Sequence, residues 1–238
     1  LIVVWKDKIE SGRTVSDFVS FPDIAPTLLD IVGVPIIDQM TGKSFKEQLL
    51  SDQSGRIEFE RNYALLGKER HDIGRVEGDK LSVSYPVRAI RTDQYLYIKN
   101  FIPSRWPAGN PEYGLLNCDN SPTKSHLISL KGDQKMGNYY QMSFGKRPEE
   151  ELYNIIEDPD CFVNLADNIN YSTIKDSLWQ SLKTKLVKQK DPSLLGKGEI
   201  FECYPYRRIP RQQKLYNDPN YDPIKIFEDK YNQKINVN

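Results

Sequence analysis

Four consecutive polar residues, Lys68–His71, come directly after the apolar stretch Asn62–Gly67. A short apolar run of this kind predicts a buried strand, and α/β sheets collect ligand sites at the carboxyl ends of their strands. The imidazole, guanidinium and ammonium groups of this segment can donate hydrogen bonds to an anion or a sugar hydroxyl. His71 is therefore the leading candidate for a substrate contact and Lys68 a weaker one, with an exposed polar turn as the alternative interpretation.

A second candidate is the loop Arg105–Gly109, in which a guanidinium group and an indole are adjacent. Such a loop can stack against a sugar ring and bind an anionic substituent, so Arg105 is a further, weaker candidate for a substrate contact. A loop that packs over the core explains the same residues equally well. The second histidine, His126, lies in a predicted loop, where a lone imidazole is more often solvated than catalytic.

No residue pattern indicates a nucleophile or a metal site. The sequence lacks a glycine-rich phosphate loop, a G-x-S-x-G elbow and a cluster of metal-ligating side chains. Its three cysteines, Cys118, Cys161 and Cys203, are far apart and show no C-x-x-C spacing. Two states of these cysteines remain open: one disulfide plus one free thiol, or three reduced thiols. We expect no catalytic residue and no metal ligand in this chain.

The composition excludes several classes of partner. The 238 residues contain 33 Lys and Arg against 33 Asp and Glu, a formal net charge of zero, so bulk charge does not predict nucleic-acid or membrane binding. No apolar run approaches the roughly 18–20 residues of a membrane span. The opening stretch Leu1–Trp5 is too short for a signal peptide and begins without methionine. We therefore expect a processed chain or a fragment.

The amino-terminal elements that must position these residues follow a strand-then-helix order. The β-branched run Leu1–Trp5 predicts a strand that is buried on both faces. Asp23–Gly33 predicts a short helix with Asp23 as N-cap and Pro26 in the first turn. Gly42–Leu50 predicts another short helix, which Ser44 caps. This order indicates an α/β layer.

The pattern of apolar and polar residues changes near residue 84. Pro86–Arg91 and Tyr95–Phe101 alternate in polarity and predict a half-buried β-hairpin. Residues 102–143 predict a long irregular loop, and Glu151–Ile156 a further strand. Thr173–Gln189 predicts the clearest helix, because its leucines and isoleucine recur every four residues.

These observations divide the chain into three expected parts. Residues 1–84 form an α/β piece, residues 85–190 form a small antiparallel β domain with a C-terminal helix, and residues 191–238 form an extended tail. The last part shows no strong periodicity and is rich in polar residues, which favours a wrapping or disordered segment.

Several segments together resemble the C-terminal part of a sulfatase of the alkaline-phosphatase-like superfamily. The similarity is greatest to the heparan N-sulfatase (sulfamidase)-like group and covers roughly residues 1–190. The segments that carry it are Gly12-Arg13, Asp17–Ser20, Asp23–Asp30, Gly42–Ser44 with Leu49-Leu50, Gly67–His71, Tyr85–Arg88, Glu151–Tyr153, Asp158-Pro159 and Asn164–Ala166.

The resemblance implies a fold and a function. By this resemblance, residues 1–84 correspond to the C-terminal portion of the sulfatase catalytic sheet, and the small C-terminal domain follows them. The implied protein hydrolyses sulfate esters or sulfamates on sulfated sugars of the glycosaminoglycan type, in the periplasm, outside the cell or in the lysosome. Calcium and a formylglycine nucleophile are implied for the intact enzyme, on an N-terminal catalytic segment that this chain lacks. The isolated chain is therefore expected to be inactive.

One departure bears on the nucleophile. Formylglycine arises from a C/S-x-P-x-R motif near the start of the resembled catalytic domain, and here Cys203–Arg207 matches that pattern formally. Because this segment follows the last periodic helix, we expect Cys203 not to be the nucleophile. Two other functions stay open: a non-catalytic carbohydrate-binding or structural module, and a phosphoryl-transfer relative in the same superfamily.

Overall fold

The computed structural model describes residues 1–71 and 73–235. Within them, two short 3-10 helices, Pro111–Tyr113 and Ile169–Tyr171, accompany the strands and α-helices. The strands are β1 (Tyr63–Lys68), β2 (Val76–Glu77), β3 (Lys80–Leu81), β4 (Val87–Thr92), β5 (Tyr95–Asn100) and β6 (Glu150–Asn154). The α-helices are α1 (Phe21–Ile31), α2 (Lys46–Leu50), α3 (Pro122–Ser129), α4 (Gly137–Phe144), α5 (Ser172–Lys188), α6 (Ile200–Cys203), α7 (Pro210–Tyr216) and α8 (Pro223–Ile235).

Four strands form one antiparallel sheet in the order β1-β4-β5-β6. The predicted hairpin is confirmed as β4 and β5, whose alternating side chains place one face towards the core. Ile90 lies opposite Tyr97, and Tyr97 lies opposite Leu152 in β6. All three side chains are at most 1% exposed, so this row forms the centre of the core.

Helix α5 covers that row, as the four-residue periodicity predicts. Leu182 and Leu186 are fully buried and join the cluster of Ile90, Tyr97 and Leu152. Leu178 packs against the same cluster as a half-buried side chain. The sheet and helix therefore share one apolar core, and β1 extends from its edge towards the candidate residues.

The predicted strand Leu1–Trp5 is wrong. These residues adopt no regular secondary structure and are exposed, Leu1, Ile2 and Val4 by more than 80%. A run of β-branched residues forms a buried strand only where neighbouring strands satisfy its backbone groups. Among the residues that the structure describes, none pairs with this segment as a strand.

Strand β1 also differs from its expected setting. We expected Asn62–Gly67 in the α/β layer, whereas β1 pairs antiparallel with β4 along its whole length, from Tyr63 opposite Thr92 to Lys68 opposite Val87. The sheet thus joins residues from both sides of position 84. The expected burial is also wrong, because β1 is half-buried at Tyr63–Leu65 and exposed at Leu66–Lys68. A short apolar run fixes neither the direction nor the burial of a strand, since both depend on what packs against it.

Helix α1 begins earlier than expected because Asp23 occupies the third helical position rather than the N-cap. Ser20 is the N-cap, and the Asp23 carboxylate accepts a hydrogen bond from the Ser20 backbone at 3.0 Å, which completes a capping box. The other Asp23 oxygen accepts from the Lys43 backbone at 2.8 Å, and a terminal nitrogen of Arg61 lies 3.3 Å from the oxygen that accepts from Ser20. One buried carboxylate thus connects α1, the loop before α2 and the start of β1.

The segment 102–143 is more ordered than a long irregular loop. It contains α3 and α4, and Leu115, Tyr140 and Phe144 form a small apolar cluster beneath them. His126 lies on α3 and is exposed. Two helices of eight residues carry too few apolar positions to show a clear period in sequence.

The expected extended tail contains α6, α7 and α8. Cys203, Ile209 and Phe227 are buried, each in a different part of the tail. Isolated apolar anchors of this kind produce no sequence periodicity, and short helices depend on tertiary packing for stability. Asn236–Asn238, at the end of that tail, lie outside the described residues. No helix within the described ranges is both long and apolar enough to cross a membrane.

Candidate functional site

Strand β1 ends at Lys68, and the polar residues that follow it leave the sheet. Gly67 and Lys68 pair with Arg88 and Val87 of β4. Beyond the strand, the carbonyl of Glu69 accepts a hydrogen bond from the Tyr85 backbone at 2.8 Å. The sheet thus delivers the segment 68–71 to one edge, as its position after an apolar run predicts.

Glu69 belongs to a buried charge cluster. Arg88 donates to Glu69 through one terminal nitrogen and to Asp191 through Nε at 2.8 Å, and Ser193 donates to Glu69 at 2.6 Å. Burial alone disfavours the charged guanidinium, but its hydrogen bonds to Asp191 and Glu69 leave the pKa of Arg88 raised. The cluster holds the end of β1 against the segment that follows α5.

Arg75 is a second buried cation that sequence reasoning missed. It is 0% exposed and donates to the carbonyl oxygens of Val83 and Pro107 at 3.0 Å each and of Glu69 at 3.3 Å. Burial, and then the neighbouring Arg105 charge, lower the pKa of Arg75 to about 10, so it stays protonated at neutral pH. Arg75 therefore organises three chain segments around the end of β1.

Arg105 is largely neutralised by carboxylates. Its two terminal nitrogens contact Glu202 at 2.6 Å and Glu77 at 2.7 Å, and one also donates to the Ser84 carbonyl at 2.9 Å. Burial opposes its charge, while the bonds to Glu77 and Glu202 raise its pKa. In this structure Arg105 ties the C-terminal segment to the loop before β4, a role that its sequence neighbourhood does not indicate.

Lys68 and His71 are both exposed. Lys68 has no carboxylate partner among the described residues. Its ammonium group is partly desolvated, and this burial, followed by the nearby Arg75 charge, lowers the pKa of Lys68. Two groups that can bind an anion or a hydroxyl are thus accessible at the end of β1.

The C-terminal segment lies against the residue before His71. Arg70 donates to the Tyr204 carbonyl at 2.8 Å, and its guanidinium lies over the Tyr206 ring with 5.7 Å to the centroid. The Tyr206 hydroxyl lies 3.4 Å from the His71 carbonyl oxygen. Because the tail shows no periodicity in sequence, only the fold identifies its contribution to this edge.

A cavity of about 300 Å³ lies elsewhere, between α1, β1 and the end of α5. Its lining includes Asp23, Lys43, Tyr63 and Gly67, and it reaches Arg88 from one side. His71, Lys68 and Arg105 are not part of this lining. We keep the candidate site at the strand end, where the predicted residues His71 and Lys68 are exposed, although the cavity lining also contains the exposed side chains of Lys43 and Glu60.

The described residues do not fit a calcium site or a formylglycine. They contain no group of three or more His, Cys, Asp or Glu side chains that could hold a metal ion. Cys118, Cys161 and Cys203 are all free thiols. Cys203, in the formal C-x-P-x-R motif, is 7% exposed at the end of α6, and burial raises the pKa of its thiol. No reaction step is therefore assigned to either group here.

Cys203 is expected to stay a thiol when the chain is co-expressed with a formylglycine-generating enzyme. Intact-mass spectrometry should show no loss of about 18 Da, the change for thiol-to-aldehyde conversion. The five residues Cys203–Arg207 appended to an exposed terminus of an unrelated protein provide the control, and conversion there would show that the enzyme is active. A mass loss at Cys203 in the folded chain would contradict this prediction.

Comparison with known proteins confirms the resemblance to the C-terminal part of sulfatases. The family described as N-sulphoglucosamine sulphohydrolase, C-terminal, matches residues 1–106. An ulvan-active sulfatase of Formosa agariphila is 28% identical over 226 residues, which are 94% of this chain and 33% of that protein. A second ulvan-active sulfatase of the same organism is 27% identical over 88% of this chain and 40% of its own length. The chain thus spans 33% and 40% of the length of these two relatives.

Solved structures of similar proteins cover comparable parts of the chain. BT4656 in complex with its substrate D-glucosamine-2-N,6-O-disulfate matches 78% of this chain and 28% of its own, with 20% identity and a TM-score of 0.48. The sulfatase yidJ of Bacteroides fragilis matches 80% of this chain and 30% of its own, with 18% identity and a TM-score of 0.48.

Proposed function

We propose that this chain forms the C-terminal part of a sulfatase that hydrolyses sulfate esters or sulfamates on sulfated sugars. The observation that carries the proposal is the similarity to sulfatases over 94% of the chain. The position of Lys68–His71 supports it, because buried arginines hold this segment at a sheet edge while His71 and Lys68 stay exposed.

In the proposed site His71 donates a hydrogen bond to a sugar hydroxyl or a sulfate oxygen. The ammonium group of Lys68 compensates the negative charge of the sulfate or of a neighbouring acidic substituent. Arg105 acts indirectly, since its bonds to Glu202 and Ser84 hold the C-terminal segment in place. Calcium and formylglycine, implied for sulfatases in general, would supply charge stabilisation and the nucleophile, and no described residue is assigned to hold either group.

The proposed substrate class is a sulfated polysaccharide sugar. The matched family is named for a sulphoglucosamine sulphohydrolase, and two relatives are named ulvan-active sulfatases. We propose a glycosaminoglycan-type sugar and a periplasmic, extracellular or lysosomal location. Ulvan, for which the two relatives are named, is the alternative that a substrate panel distinguishes.

The test compares the isolated chain with the complete product of the gene that encodes it. Both are assayed with a small aryl sulfate, a sulfated glucosamine and an ulvan oligosaccharide, with calcium or with a chelator. We expect calcium-dependent release of sulfate from the complete product and none from the isolated chain. Turnover by the isolated chain would contradict its role as a part that lacks the nucleophile. Absence of turnover from the complete product, with sugar binding retained, would favour the carbohydrate-binding module.

A further inference from the structure

The C-terminal segment Glu202–Tyr206 places two tyrosines beside the strand end that carries His71. Tyr204 is 43% exposed, and its carbonyl is held by Arg70 at 2.8 Å. Tyr206 is half-buried beneath the same guanidinium, with its hydroxyl near the His71 carbonyl. This segment lies outside the residues 1–106 that match the sulfatase family.

Hydrogen bonds fix the segment before and after the two tyrosines. Before them, the Glu202 carboxylate accepts hydrogen bonds from the Ser84 hydroxyl at 3.0 Å and from Arg105 at 2.6 Å. The Cys203 carbonyl accepts from the Tyr221 hydroxyl at 2.7 Å, which fixes the next peptide group. Groups that are ordered before a ligand arrives lose little entropy on binding.

The backbone of the second tyrosine is also held. Tyr206 donates through its backbone N–H to the Gln212 side chain at 2.6 Å, at the start of α7. Hydrogen bonds therefore hold the peptide backbone on both sides of the two tyrosine rings. None of these bonds uses the Tyr204 ring, so that ring is the part of the segment with room to contact a ligand.

Tyrosine, histidine and arginine together suit one kind of ligand. A tyrosine ring offers an apolar face with a polar hydroxyl at its edge, and a sugar ring offers C–H groups on its face with hydroxyls around its rim. The adjacent Arg70 guanidinium favours an anionic substituent, although burial lowers its pKa, against the opposing effect of the Glu202 charge. The combination fits an acidic or sulfated pyranose.

We propose that Tyr204 and Tyr206 form, beside His71, a binding surface for a sugar unit of a polymeric sulfated substrate. This inference rests on the proposed function and adds a determinant of substrate length. A substrate with a second sugar unit contacts the tyrosine rings, whereas a small aryl sulfate does not reach them. The surface therefore acts through affinity for the sugar chain rather than through the reacting sulfate.

The experiment uses the complete gene product and measures KM and kcat separately. Tyr204→Ala should raise KM for a sulfated tetrasaccharide by about 3- to 10-fold, the range for one lost aromatic contact, with kcat unchanged. Its activity on an aryl sulfate should equal the wild type. Tyr204→Phe keeps the ring and should keep KM near the wild-type value. Tyr216→Ala, an exposed tyrosine on α7, is the matched control and should change neither parameter.

A binding titration of the given chain with the same tetrasaccharide tests the surface independently of turnover. Weaker binding by Tyr204→Ala, at an unchanged melting temperature, would support the proposal. Unchanged affinity and KM would overturn it, and equal losses on tetrasaccharide and aryl sulfate would overturn it by placing Tyr204 at the reacting group. Lack of turnover by the wild-type gene product would instead count against the proposed function. The two failures can be told apart, because the titration does not depend on catalysis.

Discussion

Arg88→Ala is expected to lower the free energy of unfolding by about 3–5 kcal/mol, the range for breaking a buried ion pair. The Arg88 side chain is 9% exposed, and its partners Glu69 and Asp191 are 17% and 12% exposed. Removing the guanidinium leaves the Glu69 and Asp191 carboxylates largely buried without their cation. Urea denaturation of the chain, followed by circular dichroism, measures the change.

An ion pair whose carboxylate is exposed supplies the control. Arg56 contacts Asp93 at 2.5 Å, but the Asp93 side chain is 70% exposed. Asp93→Asn should therefore change stability by no more than about 1 kcal/mol, because water screens the pair. A loss of less than about 1 kcal/mol for Arg88→Ala would show that water reaches the cluster in solution and that it does not secure the end of β1.

His71→Ala in the complete gene product should lower kcat/KM on the sulfated sugar by roughly 10- to 1,000-fold. That range corresponds to one or two lost charge-assisted hydrogen bonds. Activity on a small aryl sulfate should fall much less, because that substrate lacks the sugar. His71 is exposed, and the contact with Tyr206 is made by the His71 backbone carbonyl, so the substitution leaves that contact in place.

His126→Ala provides the matched control for this prediction. His126 is exposed on α3, and its removal should leave kcat/KM within about twofold of the wild type, as expected for a side chain that touches no substrate. Equal losses on both substrates after His71→Ala would place His71 at the sulfate itself. No loss on either substrate would return Lys68–His71 to the alternative of an exposed polar turn.

Elements that carry their own periodicity were predicted correctly. The hairpin β4–β5 alternates in polarity within a few residues, and α5 repeats its apolar positions over four turns. Helices α3, α4, α6 and α7 were not predicted, because they have at most eight residues and gain their stability from what they pack against. Helix α8 has 13 residues and was also missed. Leu1–Trp5 shows the opposite error, a strand that was predicted but does not form. Strand propensity alone does not supply a partner strand.

The sequence alone determined which residues reach the candidate edge and which protein class they resemble. An apolar run followed by Lys68–His71 places polar groups at a strand end, and this depends only on residues that are neighbours in the chain. The tertiary structure decided what those groups do. Arg105 meets Glu202, which is 97 positions away, and Arg70 meets Tyr204, which is 134 positions away. Whether a charge is neutralised or accessible depends on partners that chain folding brings from such distances, and a local pattern carries no information about them.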